Sequence, residues 1–223
     1  MIRNLSLLAA VLVIGAAGCS RSARFAPLSS TDSSAVVQDN VAHRDTMDRF
    51  FREDPASPFR RDSTITYTGL HWFPVDVRFR VQAVLERYAS PETVVVMGTR
   101  GEQRRHLRYG FFQFVLPDER GDPRSLRLNV YKFTPYDATR YALFRNHLSV
   151  WFTDKTTGIE TYPVGRYVDI GSEDPDPAHR YTIDFNMAYN PYCAYSALYS
   201  CAIPREEDHL DVPVRAGELR YHE

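Results

Sequence analysis

The sequence predicts a mostly β domain, an antiparallel sandwich or partly open barrel, with an N-terminal helix. Three observations carry this prediction. From Ser63 onward, short runs rich in β-branched and aromatic residues follow one another: STITYTG, VRFRVQAVLERY, TVVVMGTR, LRYGFFQFVL, SLRLNVYKF, LSVWFT, GRYVDI and RYTIDF. Two of these runs alternate. Val77, Phe79, Val81 and Ala83 face away from Arg78, Arg80 and Gln82, and Leu126, Leu128 and Val130 from Arg127, Asn129 and Tyr131. A period of two gives a sheet with one buried and one wet face. No interval between runs is long enough for a series of crossover helices, which argues against an α/β fold.

The elements follow in chain order. Arg3 precedes an almost unbroken apolar run, Leu5 to Ala17, which ends in Ala16, Ala17, Gly18 and Cys19. This is the layout of a secretory signal peptide over residues 1–18, and the run is too short to read as a spanning helix. Its AAGC ending resembles a bacterial lipobox. That resemblance implies cleavage before Cys19, lipidation of its thiol with chains such as palmitate, and an anchored lipoprotein of the cell envelope. Ser20 in place of Asp favours the periplasmic face of the outer membrane over the inner membrane. Residues 19–34 read as a Ser-rich tether and 35–223 as a single domain.

SSAVVQDNVAHRDTMDRFFRED reads as the helix, capped near Ser34, with Val37, Val41, Met47, Phe50 and Phe51 on one stripe. His43 and Arg44 are expected on its surface. Pro55 and Pro58 end it. RGEQRRHLR is expected to be a solvated hairpin, and DERGDPRS and DKTTG turns. With Lys plus Arg at 27 and Asp plus Glu at 28, nothing favours a nucleic-acid partner.

The second half carries the most distinctive text: WFTDKTTGIETYPVGRYVD, then YTIDFNMAYNPYCAYSALYSCAIPREEDHLDVPVRAGE. With SPF at Ser57–Phe59 and GLHWFP at Gly69–Pro74, these stretches resemble a bacterial family known as domain of unknown function 1684. The resemblance spans roughly His43 to the C-terminus. Its aspartate–threonine–glycine turn falls on Asp154, Thr157 and Gly158. Its ETY and GRY elements fall on Glu160–Tyr162 and Gly165–Tyr167. Its DFN and YNP-CAY elements fall on Asp184–Asn186, Tyr189–Pro191 and Cys193–Tyr195. Where the family carries an asparagine after the later cysteine, this chain has Asp208. The resemblance implies a lipoprotein or secreted context and no established activity.

Cys193 and Cys201 stand eight positions apart. In an oxidising compartment their even number predicts a disulfide. A zinc set of Cys193, Cys201, His209 and Asp208 or Asp184 is a second reading, and a reactive thiol a third. No HExxH, GxSxG or glycine-rich phosphate loop occurs; no cofactor is called for. The remaining cluster is polar: Glu160, Tyr162, Arg166, Asp169, Asp184, Asn186, Asn190 and Tyr195. Arg166 is expected to pair with Asp184 or Glu160. The cluster is either a buried network that fixes strand register or a ligand pocket rimmed by Tyr162, Tyr189 and Tyr195. His71 and Trp72 are expected to pack at a sheet edge. The functional expectation is a module that binds a small molecule or envelope component. The alternative is an envelope hydrolase using the carboxylates, Glu160 and Asp184 foremost.

Overall fold

A computed structural model describes residues 30–222. The signal peptide, Cys19 and most of the tether lie outside the described residues. Helix α1 (Ser30–Glu53) takes up the end of the expected tether and is followed by a single turn, α2 (Pro58–Arg61). Ser57 caps α2 through its hydroxyl, with Pro58 at the first helical position. The strands are β1 (Arg80–Val84), β2 (Glu86–Met97), β3 (Gln103–Pro117), β4 (Pro123–Phe133), β5 (His147–Asp154), β6 (Arg166–Ser172), β7 (Arg180–Asp184) and β8 (His209–Leu210). A short helix, α3 (Ala138–Phe144), bridges β4 and β5. Among the described residues no helix is long and apolar enough to cross a membrane.

The larger sheet is an antiparallel meander, β2-β3-β4-β5-β6, to which β8 adds a short parallel pairing at the end of β5. The smaller is a two-stranded antiparallel ladder of β1 and β7. Only Leu85 separates β1 from β2, so the chain leaves one sheet and enters the other at that residue. The two sheets enclose the main core. Phe79, Ala83, Tyr181 and Ile183 come from the small sheet side, and Phe112, Phe114, Leu128, Val130, Val150 and Phe152 from the meander. The arrangement is sandwich-like, and no closed barrel forms among the described residues.

Several sequence expectations change here. STITYTG is not a strand; Ile65 and Tyr67 instead pack in an aromatic cluster with Phe51, Phe59 and Tyr195. VRFRVQAVLERY is not one strand but a 3₁₀ turn (Val77–Phe79), then β1, then the start of β2. The outer face of β4 is not wet throughout. Asn129 and Tyr131 are buried beneath the turn at Glu206–Asp208, where Asp208 accepts from the Asn129 side chain at 2.8 Å and the Tyr131 hydroxyl at 2.5 Å. The expected helix stripe holds at its C-terminal end, where Phe51 is buried and Met47 and Phe50 pack beside it, but not at its start: Val37 and Val41 are exposed, and Val36 and Asn40 are buried instead.

Candidate functional site

Arg166 begins β6 and is 1% exposed. Burial lowers its pKa, and the charge of Asp154 opposes that shift. A guanidinium held so deep requires a full set of acceptors. Its partner is Asp154, at 2.9 Å, the last residue of β5. Its two terminal nitrogens also reach the backbone carbonyls of Val214 (2.7 Å), Ala216 and Glu218 (3.3 Å), and only Nε lacks a partner. Arg166 therefore clasps the C-terminal segment against the meander. It pairs with neither Asp184 nor Glu160, which corrects the sequence expectation. Sequence spacing gave no cue, because Asp154 belongs to a motif that reads as a turn.

The other members of the polar cluster divide into separate groups. Asp184 caps a 3₁₀ turn by accepting from the Asn186 amide at 3.0 Å. It also accepts from Asn40 of α1 (3.1 Å) and Arg80 (3.2 Å), so it ties helix to sheet. Asn186 exchanges bonds with the Asp76 backbone at 2.8 and 2.9 Å. Asn190 and Tyr195 surround Glu218: the Asn190 amide and the Tyr195 hydroxyl donate to one carboxylate oxygen at 2.7 and 2.6 Å. Glu218 is 1% exposed, and burial raises its pKa to about 7. Glu160 lies elsewhere, paired with Arg215 at 3.1 Å. The Glu160–Asp184 acid pair that a hydrolase would need is not assembled.

These contacts position a cleft of about 940 Å³ between α1, β6, β7 and the 187–201 loop. Asp39, His43 and Met47 line it from α1, and Asp169, Thr182 and Asp184 from the strands. Tyr189, Tyr192, Tyr199 and Cys201 line it from the loop, with Tyr167 and Arg80 alongside. Its walls are aromatic. Tyr167 and Tyr189 meet edge to face at 5.9 Å, and Tyr192 and Tyr199 at 5.2 Å. Arg80 sits between two carboxylates, Asp184 at 3.2 Å and Asp39 at 4.0 Å. His43, expected at the surface, is half-buried against the Trp72 ring, 6.2 Å away. Burial, with Arg44 adding to it, lowers the His43 pKa.

The cleft brings together Asp169, Asp184 and Tyr189 of the expected site. It leaves Glu160, Tyr162, Arg166, Asn186, Asn190 and Tyr195 outside its lining. Arg80, Tyr192 and the α1 residues went unrecognised, because they meet only across long sequence separations.

The expected disulfide is absent: Cys193 and Cys201 are both free thiols. Hydrogen bonds engage the sulfurs instead of a bond between them. Cys201 Sγ accepts from the Cys193 backbone amide at 3.3 Å, and the Tyr162 hydroxyl lies 3.7 Å from Cys193 Sγ. The Cys201 thiol holds the Cys193 pKa below the ordinary range, and the same contact raises that of Cys201. The zinc set is scattered. His209 bonds Thr153 at 3.0 Å, Asp208 is sealed under β4, and no three metal-ligating side chains gather among the described residues.

An uncharacterized protein of Haloarcula marismortui, solved by solution NMR, is similar to this chain at 33% identity and a TM-score of 0.56. The match covers 85% of this chain and 96% of that one. That relative is archaeal, so the family is not confined to bacteria. Nothing in these likenesses carries a signal peptide or a lipoprotein context, which the sequence reading had attached to the family. No curated protein matches. The family model described as protein of unknown function DUF1684 matches residues 65–219, beginning after α1 and α2, and the chain belongs to that family.

Proposed function

We propose that this domain binds a small organic molecule in the cleft between α1 and the β6–β7 face. One observation carries the reading: a single concavity of about 940 Å³ combines aromatic walls with convergent charged groups. Ligand sites are typically concave, of some 300–1,000 Å³, mostly apolar, and marked by a few placed polar groups. Arg80 and Asp184 provide donor and acceptor there, and Tyr167, Tyr189, Tyr192 and Tyr199 provide flat surfaces with polar tips. The buried clasp of Arg166 and Asp154 does not line the cleft. An extracytoplasmic setting belongs to the same proposal and rests on the sequence before Cys19; cell fractionation checks it.

Thermal denaturation against a panel of sugars, amino acids, nucleosides and organic acids tests the reading. A ligand at about a hundredfold its Kd stabilises by about 2.7 kcal/mol. The expected result is a hit that raises the Tm of the natural chain but not of Tyr192→Ala or Arg80→Ala. A panel without hits, or hits indifferent to both substitutions, contradicts it.

A further inference from the structure

Beside the cleft lies a smaller chamber of about 290 Å³, which shares Arg140, Tyr167, Tyr189, Ser200 and Cys201 with it. The chamber's other walls are unusual in one respect. Trp151 and His106 are 4% and 3% exposed, and neither Trp151 Nε1 nor His106 Nδ1 has a hydrogen-bond partner. Buried polar groups are almost always paired, so two orphans on one chamber call for an explanation. The indole N–H can only donate. Around these two stand Arg104, Arg140 and His147, and no carboxylate lines the chamber. Glu102 holds Arg104 at 2.6 Å and Asp137 holds Arg140 at 2.9 Å, both outside that lining. Phe133, Phe144, Val150 and Val168 supply an apolar wall.

We infer that this chamber is a subsite for the carboxylate end of a small amphipathic ligand. It deepens, and rests on, the reading of the cleft as a ligand site. An acceptor-rich anion answers the unpartnered indole N–H and the arginine donors, and an apolar body fits the Phe133–Val168 wall. Burial, reinforced by Arg104 and Arg140, lowers the His106 pKa to about 4, so the imidazole enters as a neutral group. The orphan atoms have essentially no exposed surface. Neither atom therefore faces the chamber as it stands, and contact with a ligand requires its wall to shift; Phe144 of the exposed α3 is part of that wall and packs on Phe133 at 6.0 Å and His147 at 6.2 Å.

The chain has two tryptophans, Trp72 and Trp151, so its two indole N–H signals report on the site directly. Acetate, hexanoate and phenylacetate, each with its matching amide, are titrated into ¹⁵N-labelled protein. The expected result is a saturable shift of the Trp151 indole signal, with that of Trp72 unmoved, by at least one carboxylate. The matching amide binds about tenfold more weakly, as does the carboxylate to Trp151→Phe, since a hydrogen bond to a charged group is lost. Trp151→Phe keeps a ring on Tyr131, and its Tm reports folding separately. No shift at Trp151 with any of the three acids, equal binding of acid and amide, or full binding by Trp151→Phe overturns the proposal. Cleft hits in the thermal panel together with a silent Trp151 would sink this subsite alone.

Discussion

Arg166 shows how one buried side chain can look like a site and act as a fastener. All its partners are structural: one carboxylate and three carbonyls of the C-terminal segment. Arg166→Met leaves the buried Asp154 carboxylate without its counter-charge, held only by the Thr156 and Val214 amides, a loss of about 3–5 kcal/mol where a whole domain holds about 5–15. Urea denaturation should show that loss, or no folded protein at all. A folded, near-natural variant that has lost only a ligand would contradict the structural role. Glu218 gives a pH signature. Its pKa rises from 4.5 to about 7 in the folded chain, so folding favours the protonated form. The associated stability is therefore full below about pH 4.5 and is lost as pH rises through 7. Glu218→Gln should flatten that limb of the stability–pH curve; an unchanged slope would assign it to another group. The two thiols give a third test. Denatured protein should alkylate at both Cys193 and Cys201 without prior reduction, and protection that only a reductant removes would restore the bond that the structure lacks.

At the scale of elements, alternation in the sequence read the meander well. Leu128 and Val130 point into the core as expected, and β3 to β7 fall within or around their predicted runs. The pattern failed where its physics is ambiguous. Residues 77–84 alternate correctly, yet alternation says which face is buried and not which sheet a strand belongs to, so the switch at Leu85 was hidden. STITYTG has the right composition because β-branched and aromatic residues suit any half-buried surface, ladder or not. Asp208 was noted as a departure from the family's asparagine and as a zinc-ligand candidate. Its burial under β4 depends on a contact 79 positions back, with Asn129. The C-terminal segment holds its course through Gly217, whose φ is +82° and whose added Cβ would lie 2.5 Å from the Ala188 carbonyl oxygen. Gly217→Ala should cost more than about 1 kcal/mol, read from the urea midpoint. A midpoint at the natural value would mean that the segment can shift away from Ala188 freely.

Across the whole molecule, the cleft was the least legible feature. Asp169, Asp184 and Tyr189 were candidates from sequence, and they do line it. The opposite wall comes from α1, joined to β7 by the Asn40–Asp184 hydrogen bond across 144 positions. Local motifs cannot report such a juxtaposition, and polar residues in strands look alike whether they fasten a sheet or face a ligand. Arg166, Asp154, Asn186 and Glu218 are fasteners, and Arg80, Tyr192 and Tyr199 are open to the cleft. The most direct measurement is mass analysis of the natively purified protein before and after denaturation, for the natural chain and for Tyr192→Ala. The account predicts a small molecule released from the natural chain and missing from the variant, with both folded. A natural chain that carries nothing and takes up nothing from a cell extract, or a variant that holds the molecule equally well, would contradict it.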